Sequence, residues 1–140
     1  MIIGFTQGTY DLFHIGHLNI FKNAKQYCDY LIVAVNTDEL VGEYKNRTPV
    51  IPFEERIEII QAIKYVDKAI PQTSLEKLQI VLDNNVNIVF IGSDWQNNER
   101  WKRHGEEFKE HGIELKFLPH TAHTSSTIIK RALAEIEEVG

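Results

Sequence analysis

Five short runs rich in β-branched and aromatic residues recur along this chain, and a helical pattern follows each of them. The runs are Ile2 to Thr6, Tyr30 to Val35, Val66 to Ile70, Ile88 to Ile91 and Ile113 to Leu118. The first, second and fourth show almost no apolar/polar alternation, the pattern of a strand covered on both faces. Leu18, Phe21 and Ala24 keep three-to-four spacing, as do Ile57, Ile60 and Ile63 behind Pro52, which suits a first helical turn. Leu75, Leu78, Val81 and Leu82 repeat the spacing, Glu99 to Lys109 reads as a helix ended by Gly112, and a last helix runs from Ser126 to Glu138. A strand–helix order repeated five times predicts an α/β fold: a small, doubly wound, Rossmann-like five-stranded parallel sheet with helices on both faces. The stretch from Asn36 to Ile51 reads as one long irregular loop, of the kind that is often functional.

The 140 residues fit one domain spanning 1–140, and 43% hydrophobic residues, with 2 Trp, 5 Tyr and 7 Phe, suffice for a core without staples. Cys28 is the one cysteine, so an intramolecular disulfide and a four-cysteine zinc site are excluded and a reducing compartment is expected. No apolar run reaches the roughly 18 residues of a membrane span, and Met1-Ile2-Ile3-Gly4-Phe5 lacks the basic flank of a signal peptide. A cytoplasmic protein without a membrane or nucleic-acid partner is expected. The net charge of -5 disfavours a broad phosphate-binding surface, so any anionic ligand must meet local positive charge.

In doubly wound sheets ligands sit beyond the carboxyl ends of the strands, which makes the residues after each strand the informative ones. After the first strand comes Gly8-Thr9-Tyr10-Asp11-Leu12-Phe13-His14-Ile15-Gly16-His17. Gly8 allows a tight strand exit, Gly16 lets a ligand approach the helix start, and the amides there favour an anion. His14 and His17 flank Gly16 where the fold places its ligands. A shared metal is the rival role for the two imidazoles, but no third ligand of zinc type stands at this turn, which favours a phosphate-facing role.

His14-Ile15-Gly16-His17 resembles the HxGH signature of the nucleotidylyltransferase superfamily, and its surroundings are similar to bacterial glycerol-3-phosphate cytidylyltransferases. The resemblance extends through Gly8-Thr9-Tyr10-Asp11, Asn36-Thr37-Asp38-Glu39, Pro52-Phe53-Glu54-Glu55-Arg56, Lys64-Tyr65-Val66-Asp67 and Gly92-Ser93-Asp94-Trp95, in the family's order along nearly the whole chain. It implies transfer of CMP from CTP to a small phosphorylated acceptor with release of pyrophosphate. His14 and His17 would then donate to the oxygens around the α-phosphorus, Thr9 would add a hydroxyl, and Asp11 would orient or balance these groups or simply cap the turn. Lys45, Arg47, Arg56 and Lys64 would supply positive charge, with Arg56 reaching the triphosphate or acceptor; Lys64 stands where the family commonly has Arg. Asp38 would lie near the metal or acceptor. Gly92 and Asp94 would meet the cytosine, while Trp95 is equally a core or dimer aromatic.

The final motif departs from the pattern. Where the family typically has Arg-Thr-Glu-Gly-Ile-Ser-Thr-Thr, this chain has His120-Thr121-Ala122-His123-Thr124-Ser125-Ser126-Thr127. Thr121, Ser125, Ser126 and Thr127 keep the hydroxyls suited to the outer phosphates, whereas His120 and His123 alter the acceptor side. The resemblance thus implies glycerol 3-phosphate or, given the altered motif, another phospho-alcohol or phosphorylated amino-acid derivative as the expected acceptor, with surface polysaccharide synthesis as an expected destination. Mg2+, held mainly by substrate phosphates and not by a protein cage, and a homodimer are implied as well. Alternatives are an adenylyltransferase of the same superfamily and a nucleotide-binding module without catalysis.

Overall fold

A computed structural model of the chain describes residues 1–119 and 126–139, with no account of the side chains of 126, 127 and 136–139. The expected sheet forms: β1 (Ile3–Gly8), β2 (Tyr30–Asn36), β3 (Lys68–Gln72), β4 (Ile88–Gly92) and β5 (Glu114–Leu118) pair in parallel in the order β3-β2-β1-β4-β5. The helices are α1 (Ile15–Lys25), α2 (Asp38–Lys45), α3 (Phe53–Gln61), α4 (Leu78–Asp83), α5 (Glu99–Glu110) and α6 (Ser126–Val139). β2 shows why alternation is missing from the sequence. Leu31, Val33 and Val35 enter a core shared with Phe21 of α1 and Ile60 of α3, while Ile32 and Ala34 enter a second core with Val81 of α4 and Phe108 of α5. Both faces are dry, so both residue parities are apolar. Gly4 in β1 is required by this packing: a Cβ there would lie 2.7 Å from Cys28 Sγ and from Phe90 Cε2.

Two local expectations are corrected. The stretch from Asn36 to Ile51 contains α2, whose first turn is capped by Thr37 Oγ1 accepting from Leu40 N at 3.2 Å, and which ends on left-handed Asn46. Leu40 and Val41 are its buried residues, too few to register as helical periodicity in the sequence. The third strand begins at Lys68 instead of Val66 and runs through Pro71, tolerated because β3 is an edge strand with one side free of pairing. Among the described residues no helix is long and apolar enough to cross a membrane.

Candidate active site

The chain leaves β1 toward β2 and later returns to place β4 on the other side of β1, so the carboxyl ends of β1 and β4 splay apart at the switch in winding direction. A cleft opens there as two adjoining cavities of about 340 and 330 Å³ that share Gly8, Thr9, His17 and Trp95 among their walls. The backbone between β1 and α1 is held in the left-handed region at Tyr10 (φ 57°) and Leu12 (φ 53°), a strained geometry for side-chain-bearing residues that surrounding structure must enforce. Burial of the Tyr10 ring, edge-on to His17 and Phe21, anchors the turn and raises the phenol's pKa above its ordinary value.

The two histidines are fixed by the helix start itself. His14 is the N-cap of α1, and its Nδ1 accepts from Gly16 N at 3.1 Å. His17 reaches back so that its Nδ1 accepts from His14 N at 3.2 Å, and the ring centroids lie 3.9 Å apart. An imidazole nitrogen that accepts an amide proton carries none of its own, so each neutral ring bears its proton on Nε2. His17 lines both cavities and His14 the second. Phe13 stacks on His17 at 5.3 Å, limiting its rotation.

Charge is unevenly divided between the two cavities. Lys45, Arg47, Lys77, Arg100 and Lys130 line the first, with Asp11 as its carboxylate. Asp11 accepts from Val50 N and Ile51 N at 2.9 Å each and pairs with Lys130 Nζ at 3.2 Å. Burial pushes its pKa up, but the two amides and Lys130 outweigh that and hold it below the ordinary carboxylate value. Lys77 is 2% exposed, lies 4.9 Å over the Trp101 ring and donates to Leu75 O at 3.0 Å; burial, with Arg100 nearby, lowers its pKa to about 8. The acidic chain thus brings five of its cationic side chains to one cavity. Thr9 belongs to a polar network in which Asn36 Nδ2 donates to Thr9 Oγ1 and Tyr44 Oη, both at 3.1 Å. The second cavity is lined by Gly16, Gly92, Asp94 and Pro119 beside the histidines, and a Cβ at Gly92 would meet no atom of the described residues within 4 Å.

Gly8, Thr9, Asp11, His14, Gly16, His17, Lys45, Arg47, Gly92 and Asp94 are thus brought to one cleft. Three expected site residues lie elsewhere. Arg56 is 1% exposed and its donors are taken by Ile51 O, Thr9 O, Asn36 O and Asp38 Oδ1 at 2.6 to 2.8 Å. A buried guanidinium needs this set of acceptors, so Arg56 braces the cleft from behind and lines neither cavity. Asp38 is its counter-ion, also accepts from Phe53 N at 3.2 Å, and lines neither cavity. Lys64 is exposed beside Tyr65 just past α3, where Asp67 N bonds Leu31 O near the start of β2. It therefore stands at the opposite end of the sheet from the cleft, because α3 runs back along the strands. His120, Thr121, His123 and Ser125, with the side chains of Ser126 and Thr127, lie outside the described residues.

Lys77, Arg100 and Lys130 went unnoticed in the sequence. Lys77 had a readable signal, since it follows β3 and so obeys the same rule that singled out the residues after β1 and β4. Arg100 and Lys130 sit on helices, where a lone cation looks like any solvated residue.

Residues 5–132 match the model of the family described as cytidylyltransferase-like. Glycerol-3-phosphate cytidylyltransferase of Bacillus subtilis (strain 168) is 36% identical over 130 residues, covering 92% of this chain and 95% of that protein. The protein of the same name from Staphylococcus aureus is 35% identical over 130 residues, covering 91% and 92%. Among solved structures, a lipopolysaccharide core biosynthesis protein from Thermoplasma volcanium superposes with a TM-score of 0.73 at 24% identity, over 89% of this chain and 99% of that one. A pantoate-beta-alanine ligase from Francisella tularensis gives 0.63 at 17% identity, over 97% of this chain and 70% of that one. These two likenesses concern the fold alone.

Proposed function

Because the chain belongs to the cytidylyltransferase-like family of nucleotidyltransferases, we propose that it transfers CMP from CTP to a small phosphorylated acceptor, with glycerol 3-phosphate the first candidate from the names of its relatives. The observation that carries this reading is the pair of Nδ1-anchored imidazoles at the junction of a cation-lined cavity and a more neutral one. The cytidine occupies the second cavity, where Gly92 leaves room for a base and Asp94 offers an acceptor for its amine. The outer phosphates and the acceptor phosphate occupy the first.

A phosphate oxygen of the acceptor attacks the α-phosphorus while the bond to the β-phosphate breaks and pyrophosphate leaves. The attacking phosphate is already a nucleophile, so the protein's task is positioning and charge stabilisation. The Nε2–H groups of His14 and His17 donate to the α-phosphate oxygens, where charge accumulates in the transition state. Lys45, Arg47 and Lys130 hold the pyrophosphate being formed, and Lys77 with Arg100 holds the acceptor. Asp11 is tied to two amides and Lys130, so the cationic cavity offers no ready protein cage for Mg2+; the ion fits as one held by phosphate oxygens and water, where it would neutralise the triphosphate. A homodimer is part of this reading, supported by the resemblance, and sedimentation of the purified chain tests it.

Pyrophosphate release measured with CTP or ATP against a panel of phosphorylated acceptors tests the proposal. CTP-dependent turnover with glycerol 3-phosphate is expected; CTP binding without pyrophosphate release for any acceptor overturns it, and a preference for ATP overturns the base assignment.

A further inference from the structure

His104 is a charged-type side chain that the proposed reaction does not use. It lies on the inner face of α5 at 0% exposure, edge-on to Trp101 (5.4 Å between ring centroids) and stacked on Phe108 (6.1 Å). Among the described residues neither ring nitrogen has a hydrogen-bond partner, and a buried orphan polar atom calls for a cause, often an ion or water. The cause is suggested by what faces it. A carboxylate oxygen of Glu76, in the connection from β3 to α4, and one of Glu107, three residues on along α5, lie with a His104 ring nitrogen so that all three atoms are within 4.8 Å of one another.

We propose that Glu76, His104 and Glu107 form a structural binding site for a zinc-type divalent cation, separate from the Mg2+ of the nucleotide reaction. Zinc accepts imidazole nitrogen together with carboxylate oxygens, whereas Mg2+ prefers oxygens and water alone. Zinc sits about 2.0 to 2.2 Å from such donors, so the three atoms must draw closer together. His104 is fixed by packing, and the exposed Glu76 and half-buried Glu107 side chains are the ones that swing in. Burial lowers the imidazole's pKa to about 4, which keeps it neutral and its lone pair available near neutral pH.

The surrounding cations oppose the ion. Lys77 and Arg100 are near His104, and Arg103 Nη2 touches Glu76 Oε1 at 3.5 Å. That last pair is long and both side chains are more than half exposed, so an ion displaces a weak contact. An occupied site would join the β3–α4 connection, which carries Lys77, to the helix that carries Arg100 and Trp101. All three residues line the cationic cavity.

The test is titration of the full-length, EDTA-stripped chain with Zn2+, Co2+ and Mg2+ by calorimetry, with Co2+ absorption reporting nitrogen and oxygen coordination. One equivalent of Zn2+ or Co2+ is expected to bind and raise the melting temperature, with Mg2+ ineffective. Glu107→Gln and Glu76→Gln, side chains outside the core, should each weaken Zn2+ binding at least about tenfold, the scale on which lost second-shell partners already act. His104→Gln should abolish it if the variant folds. His111→Gln should bind as the parent does. Absence of stoichiometric Zn2+ and Co2+ binding overturns the site, as does binding unaffected by both glutamate substitutions, which keep the test decisive even if His104→Gln fails to fold.

Discussion

Arg56 Nη2 lies 2.7 Å from Asp38 Oδ1, and the same guanidinium also holds the carbonyls of Thr9 and Asn36 at the carboxyl ends of β1 and β2. One buried cation thereby sets the spacing of two strands and the start of α3 behind the cleft. Its rigid fork serves four acceptors in fixed directions, which a lysine ammonium cannot do.

Replacing Arg56 by Lys or Ala should therefore act first on stability. Removing the guanidinium leaves buried carbonyls unpaired, at about 1–3 kcal/mol for each unsatisfied group. Urea unfolding measures this; an unfolding midpoint equal to the parent's together with a selective loss of CTP affinity would instead place Arg56 on the phosphate.

His14→Ala and His17→Ala should lower kcat by about 10²–10³-fold each, the scale for removing one oxyanion donor, while CTP affinity changes less. Single-turnover kinetics beside nucleotide binding by calorimetry separate the two effects. His14→Ala should also cost about 0.5–2 kcal/mol of stability, because it removes the cap of α1.

Lys77→Met and Arg100→Gln should raise the KM for the phosphorylated acceptor more than that for CTP. Lys77→Met is also expected to leave unfolding stability equal or higher, since a charge confined at 2% exposure carries a desolvation cost that methionine does not. Equal changes in both KM values would mean that the two cations do not face the acceptor.

Asp11 predicts a pH signature in stability. Its folded-state pKa is below the unfolded value, so its contribution is fully present above the ordinary carboxylate range and is lost as pH falls through the folded-state pKa. Asp11→Asn should be destabilised by about 1–3 kcal/mol at neutral pH, from weakened bonds to Val50 N, Ile51 N and Lys130. The gap from the parent should stay constant above about pH 5 and close only in stronger acid.

Gly92→Ala should fold like the parent, because a Cβ there meets none of the described residues within 4 Å. Reduced CTP affinity in this variant is the expected mark of a base lying against residue 92; unchanged affinity would move the base elsewhere in the cleft.

The sheet and the His14–His17 turn were legible in the sequence because both depend on local chemistry. Strand burial on two faces leaves unbroken apolar runs, and a ligand turn at a strand exit keeps its glycines and imidazoles contiguous. α2 was hidden, since only Leu40 and Val41 of it are buried, and the gathering of Lys77, Arg100 and Lys130 was hidden because they come from three separate segments. The sequence also could not separate Arg56 and Lys64 from the cations that line the cleft. Residue type and spacing are the same for a buried strut, an exposed lysine at the far end of the sheet and a ligand contact. Tertiary structure decided among them through the direction of α3, which begins against Asp38 beside the strand ends, where Arg56 is enclosed by carbonyls. It then carries the chain back so that Lys64 stands at the opposite end of the sheet.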